Sequence, residues 1–200
     1  MGAAPKMQPI DDRLSNRNFE TLSRYIYDYS GIKMPVTKVT MLEGRLRRRL
    51  RATGIDTLDA YCEYLFKKNG LAAESTYLID AVTTNKTDFF REPKHFDYIE
   101  RIALKEIVAA GQTRLRIWSS ACSTGAEPYT IAMVMEEFIA ANREIDYRVF
   151  ATDLSTEVLE TARRGIYHRE MVAPVPARMR QKFVMEAWIQ GALRRLLETA

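Results

Sequence analysis

A short apolar run at residues 115–119, Leu-Arg-Ile-Trp-Ser, passes through Ser-Ala-Cys-Ser-Thr-Gly-Ala into a helical pattern that opens at Glu127-Pro128. Tyr129, Ile131, Ala132, Val134 and Met135 continue that pattern at helical spacing over 128–141. Strand, small-residue turn and helix in this order restrict the chain to few folds. Such a unit belongs to open α/β sheets, which receive nucleotide-like ligands outside the carboxyl ends of their strands, where backbone N–H groups and helix starts can reach them. A second strand at 147–152 and a helix at 156–164 repeat the alternation. Alternating strand and helix implies a parallel sheet with right-handed crossovers.

The residues before this unit read differently. Over 14–72 only helices are predicted. Phe19, Leu22, Tyr25, Ile26 and Tyr29 follow the helical period up to Gly31, a C-terminal cap. Leu42, Leu46 and Leu50 repeat every fourth position in a second helix that Gly54 ends. Thr57 is placed to cap a third, with Leu58, Tyr61, Cys62 and Leu65 inward, and a fourth carries Leu78, Ile79 and Val82. The stretch from Thr83 to Pro93 is polar and aromatic without clear period, and His95 to Ala110 is again helical. The fold class is therefore α/β: a small all-α N-terminal domain at 1–82, then the opening of an α/β domain at 83–200.

Composition excludes several classes. A hydrophobic share of 46% is that of a globular chain. No apolar run approaches the roughly 20 residues of a membrane helix, and the N-terminus lacks a secretory core, so a cytoplasmic protein is expected. The two cysteines, Cys62 and Cys122, have no histidine cluster beside them, which favours reduced thiols over a disulfide or metal site. Charge is uneven. Lys33, Lys38, Arg45, Arg47, Arg48, Arg49 and Arg51 stand between Gly31 and Gly54 against the single acid Glu43, a local surplus larger than the net +4 of the whole chain.

Asp153 follows the second strand. An acid at that tip suits a ribose diol, because a carboxylate accepts two hydrogen bonds from vicinal hydroxyls. The competing reading is a cap, shared with Ser155, for the helix that follows. The turn lacks a full G-x-G-x-x-G, which argues against a pyrophosphate and for a ligand with ribose but no phosphate, S-adenosylmethionine being the common one.

Three segments make the reading specific: Asp-Ala-Val-Thr-Thr-Asn-Lys-Thr-Asp-Phe-Phe-Arg-Glu-Pro-Lys-His at 80–95, Trp-Ser-Ser-Ala-Cys-Ser-Thr-Gly-Ala-Glu-Pro-Tyr at 118–129, and Ala-Thr-Asp-Leu-Ser at 151–155. In order and spacing the chain resembles the chemotaxis receptor methyltransferases from about residue 18 to about 184. The resemblance implies a Rossmann-like methyltransferase domain that uses S-adenosylmethionine, releases S-adenosylhomocysteine and requires no metal. It implies that Asn85, Thr87 and Arg91 contact the cofactor or the reacting centre, with Arg91 the catalytic candidate, and that Glu127 and Asp153 hold cofactor amino and ribose groups. Arg91 could bind a carboxylate in bidentate fashion; the competing reading is a surface ion pair with Asp88 or Glu92. The family often has a second acid where this chain has Ala126. The substrates implied are glutamate side chains on the cytoplasmic helices of methyl-accepting chemoreceptors.

A glutamate carboxylate is anionic at neutral pH and needs no general base, so the enzyme must supply positioning and exclusion of water. His95 and His168 read as helix-end or surface residues. The arginine helix, Arg45, Arg47, Arg48, Arg49 and Arg51, is read as a docking element for acidic receptor helices. A solvated face and a nucleic-acid site are the alternatives, and the absence of aromatics among the arginines weighs against nucleic acid. Family catalytic domains continue further, with more strands, so the parallel sheet is expected to be truncated and the domain incomplete. Residues 186–200 are expected to form an amphipathic helix through Trp188, Ile189, Leu193, Leu196 and Leu197. The alternative function is a non-catalytic module that docks on acidic receptor helices with weak or no cofactor turnover.

Overall fold

The computed structural model describes residues 12–141, 145–189 and 192–197. The chain divides into two compact units, 1–84 and 85–200.

In the first unit, α1 (Asn16–Ser30), α2 (Val39–Thr53), α3 (Leu58–Lys67) and α4 (Leu71–Val82) enclose one core. Their ends follow from the sequence. The Ser15 side chain accepts from the Asn18 N–H at the start of α1, and Thr57 accepts from the Ala60 N–H at the start of α3. Gly31 (φ 73°) and Gly54 (φ 71°) close α1 and α2 in the left-handed conformation that glycine adopts without steric cost. Leu42, Leu46 and Leu50 form one buried stripe of α2 against Leu22, Ile26, Leu58, Tyr61, Leu65 and Leu78. Glu43 is buried beside that stripe, where its carboxylate accepts from the Leu14 N–H (2.9 Å) and pairs with Arg13 (3.5 Å).

The second unit opens with the 85–92 loop and a helical run: α5 (Pro93–Tyr98), a π-helical stretch at Ile99–Ala103, and α6 (Leu104–Ala109). Then come β1 (Arg114–Ser119), α7 (Ala126–Ala141), β2 (Asp146–Ala151) and α8 (Thr156–Arg164). The two strands pair in parallel, with Ile117 opposite Val149 and Trp118 opposite Phe150. Leu115, Ile117, Tyr147 and Val149 pack on Ile131, Val134, Met135 and Phe138 of α7 and on Phe96 and Leu104. The other face stays open: Trp118 is 68% and Phe150 49% exposed. Parallel sheets are ordinarily covered on both faces, so this one is half covered among the described residues.

Past Gly165 the chain forms β3 (Ile166–His168), α9 (Arg169–Val172), α10 (Ala177–Phe183), β4 (Val184–Ile189) and β5 (Ala192–Leu197). The last three strands make an antiparallel sheet of order β3-β5-β4. This corrects the expectation of an amphipathic helix over 186–200, whose residues 190–191 and 198–200 lie outside the described set. The physical reason is non-local. β5 pairs with β4 from Val184 opposite Leu197 to Ile189 opposite Ala192, and with β3 at Tyr167 opposite Arg195. Backbone partners on both sides outweigh a helical period already interrupted by Gly191, and a glycine inside a helix costs about 1 kcal/mol. On α10, Arg178 (3.2 Å) and Lys182 (3.0 Å) pair with Glu137 and fasten that helix to α7. No helix among the described residues is long and apolar enough to cross a membrane.

Candidate active site

β1 and β2 end side by side, and the loop beyond each is tied to the other. The Thr152 N–H donates to the Ser119 carbonyl (3.0 Å) and the Cys122 N–H to the Thr152 carbonyl (2.9 Å). The Gly125 N–H donates to the Cys122 carbonyl (2.9 Å), closing a tight turn before the Tyr129 N–H reaches the Gly125 carbonyl (3.1 Å) at the start of α7. Gly125 (φ 93°) and Ser123 (φ 50°) both adopt positive φ. For serine this backbone costs about 1–3 kcal/mol and persists only when its surroundings over-determine it. Two direct tethers do so. The Ser123 N–H donates to Asp153 Oδ2 (2.8 Å), and its hydroxyl donates to the Asn85 carbonyl (2.8 Å).

Asp153 is half-buried, and its other oxygen accepts from the Ser155 N–H (2.9 Å) ahead of α8. The cap and the binding acid weighed from the sequence therefore do not exclude each other. A carboxylate offers about four lone-pair directions, and two are used here. Glu127 is exposed and accepts from the Ser119 hydroxyl (2.6 Å), which orients it over the end of β1. Thr124 Oγ1 and Ser155 Oγ are buried without a hydrogen-bond partner beside this turn.

The 85–92 loop supplies the other wall. Phe89 is buried, and Phe90 (φ 54°) and Glu92 (φ 56°) bracket Arg91 with left-handed backbone. The Phe90 N–H donates to Thr130 Oγ1 (3.1 Å), on the first turns of α7. The exposed Arg91 guanidinium donates to the Lys86 carbonyl (2.9 Å) and forms no ion pair with Asp88 or Glu92. Asn85 and Thr87 are half-buried in the same loop. Asn85, the turn and Asp153 are thus joined through Ser123, Glu127 is joined through Ser119, and Arg91 folds back on its own loop.

The five arginines lie in the first unit, and their roles divide. Arg45 donates to the Val82 and Thr83 carbonyls and to Thr84 Oγ1, closing the end of α4. Arg47 donates to the Asp12 carbonyl (2.8 Å). Arg49 makes two bonds to Glu74 (3.0 and 2.8 Å), with its guanidinium carbon 4.4 Å from the centre of the Tyr77 ring. Arg48 and Arg51 are exposed.

Sequence reasoning missed Ser119, Ser123, Thr130 and Tyr167, which hold these groups. The serines belong to a small-residue turn whose composition marks no single role, and Tyr167 stands past the last motif. An open groove of about 990 Å³ along α7, β2 and α8, with Met133, Ile139, Tyr147 and Leu159 in its lining, includes none of the predicted site residues. Burial, then the Asp153 and Glu127 carboxylates, push the Cys122 thiol above its ordinary value, which disfavours the thiolate. His95 and His168 are exposed. No group of three potential ligands could hold a metal ion among the described residues.

Residues 17–83 match the family model described as CheR methyltransferase, all-alpha domain, and residues 85–192 match CheR methyltransferase, SAM binding domain. The chain belongs to the CheR methyltransferase family. It is 36% identical over 180 residues to a chemotaxis protein methyltransferase of Borreliella burgdorferi, covering 88% of this chain and 63% of the relative. It is 38% identical over 174 residues to those of Salmonella typhimurium and Escherichia coli, covering 86% of this chain and 57% and 58% of the relatives. The chain thus spans about three-fifths of the length of these relatives. The two CheR models meet between residues 83 and 85, where Arg45 closes α4 on one side and Ser123 holds Asn85 on the other. The spare acceptors on Asp153 and Glu127 suit a ligand that carries hydroxyl and ammonium donors. The two orphan hydroxyls lie beside them.

Proposed function

We propose that this chain transfers methyl groups from S-adenosylmethionine to glutamate carboxylates of methyl-accepting chemoreceptors, forming glutamyl methyl esters. The observation that carries the reading is the convergence at Ser123, where one left-handed residue ties the loop of Asn85 to the turn and to Asp153. In this reading Asp153 accepts from ribose hydroxyls, Glu127 holds the amino group, and Asn85 and Thr87 line the site. Arg91 gives up the Lys86 carbonyl to bind a carboxylate through two parallel bonds. The cofactor supplies a methyl group activated by its positive sulfur. A glutamate carboxylate oxygen would take that methyl group, the carbon–sulfur electron pair would stay with the departing S-adenosylhomocysteine, and no proton would need to move. Residues 83–200 would act as the methyltransferase domain.

Residues 1–82 would form the receptor-docking domain. Arg48 and Arg51, exposed on α2, are positioned to steer acidic helices without giving up an internal bond, whereas Arg45, Arg47 and Arg49 serve the unit as well. That division also supports a second reading, docking without turnover.

Calorimetry with S-adenosylhomocysteine and transfer of labelled methyl to a glutamate-rich receptor fragment test the proposal together. Binding and base-labile methylation are expected, with Arg91→Ala lowering transfer at least tenfold. Salt-sensitive association with the fragment and no transfer at any cofactor concentration would replace catalysis by the docking reading.

A further inference from the structure

Tyr167 does not belong to any of the motifs that mark the site, yet it touches both of its walls. The residue sits in the middle of β3 and is 3% exposed. Its hydroxyl donates to the Thr124 carbonyl (2.6 Å), in the turn between Ser123 and Gly125. Its ring meets that of Phe89, two residues before Arg91, in a T-shaped contact with centroids 5.0 Å apart and planes at 88°. A second edge contact joins it to Tyr129 at 6.1 Å, and the Tyr129 hydroxyl in turn donates to the Ala162 carbonyl on α8 (2.8 Å). Gly125 is matched to this arrangement. A Cβ there would stand 2.7 Å from the Tyr167 hydroxyl oxygen and 2.9 Å from the Ala162 Cβ.

We propose that Tyr167 is a positioning residue that holds the cofactor turn and the Arg91 loop in one fixed relation, through its hydroxyl on Thr124 and its ring on Phe89. The inference rests on the reading of this turn as the S-adenosylmethionine site. The turn contains a strained serine, which needs restraint on every side. Asp153 and Asn85 hold Ser123 itself, and Tyr167 holds the next residue, Thr124. Loss of the hydroxyl frees the Thr124 carbonyl, and the turn then spends part of its time in relaxed conformations that do not bind. Apparent affinity falls by the fraction lost. The hydroxyl's reach is set by the sheet, because β3 is paired along its length with β5. The antiparallel sheet thereby acts on a site to which it contributes no predicted cofactor contact.

Tyr167→Phe is the direct test, because it keeps the ring contacts and removes only the hydroxyl. Calorimetry of the full chain with S-adenosylhomocysteine is expected to show about five- to tenfold weaker binding, the worth of one hydrogen bond. Hydrogen exchange separates positioning from general damage. The Ser123 and Gly125 amides should exchange faster in the variant, while those of the β1–β2 ladder keep the wild-type rate. Phe89→Leu probes the other arm, and should lower the methyl-transfer rate more than the affinity. Wild-type binding with unchanged affinity in Tyr167→Phe would overturn the positioning role and leave the site reading intact. Faster exchange throughout the unit would also overturn it, marking Tyr167 as a general core residue. Failure of the wild-type chain to bind would overturn both.

Discussion

Thr130 carries a comparable task with a smaller side chain. Fully buried on α7, its hydroxyl donates to the Ala126 carbonyl (2.7 Å) and accepts the Phe90 N–H (3.1 Å). Phe90 is left-handed, so this acceptor helps keep a conformation that a phenylalanine would otherwise leave. Thr130→Val keeps the shape and removes the acceptor, leaving a part-buried N–H unmade at a cost of about 1–2 kcal/mol. We expect methyl transfer to fall severalfold with a smaller change in S-adenosylhomocysteine affinity, because the loop of Arg91 loosens while the turn does not. Equal losses of rate and affinity in paired kinetics and calorimetry would count against this division. Residues of this kind show how far the site was legible. Asp153 could be named because its place at the tip of a strand is set by local pattern. Ser123 and Thr130 could not, since their roles come from Asn85, Phe90 and Asp153, partners 30 to 40 residues away.

On α2 the same limit appears as a matter of rotation. Leu42, Leu46 and Leu50 announced the buried stripe, and Gly54 its end, because both are local signals. The arginines looked alike in sequence. Successive residues on a helix turn by about 100°, which sends Arg49 to α4 and leaves Arg48 and Arg51 in water. Arg49 (15% exposed) and Glu74 (7%) form a nearly buried pair, and the Tyr61 hydroxyl donates to the same carboxylate (2.8 Å). Removing one partner of such a pair strands the other, at about 3–5 kcal/mol. Arg49→Ala should therefore destabilise the helical unit by roughly 3 kcal/mol in urea unfolding. Arg48→Glu and Arg51→Glu should stay within about 0.5 kcal/mol of wild type. In a receptor-fragment binding assay at low salt we expect the charge reversals to weaken association, by tenfold or more in the double variant. A stable Arg49→Ala chain, or undiminished association of the double reversal, would contradict this assignment. The strands at 184–197 escaped the sequence reading for a related reason. Their apolar residues fit a helical period, and only pairing with β3 settles the matter.

Across the whole molecule, both units bury acids that ionise at high pH, which makes stability in alkali a shared property. In the helical unit burial pushes the Cys62 thiol from 9.0 up to about 12, and burial with the Glu74 carboxylate raises the Tyr61 phenol. In the second unit burial raises the phenols of Tyr147 and Tyr167. Each group is freed on unfolding and then ionises near its ordinary value, so above that value the unfolded chain binds fewer protons than the folded one. Stability is fully present below about pH 9 and falls as pH rises toward the folded values, by about 1.4 kcal/mol per pH unit for each group in its window. Net-charge repulsion cannot supply this loss at its onset, because the chain's pI is about 9.1 and its charge there is close to zero. We expect thermal unfolding midpoints to hold from pH 7 to 8.5 and then drop steeply by pH 10.5. Cys62→Ala should begin lower, for the atoms removed from the core, but fall less steeply between pH 9 and 10.5. A flat profile across that range, or an identical slope in Cys62→Ala, would mean that these acids ionise in the folded state at little cost.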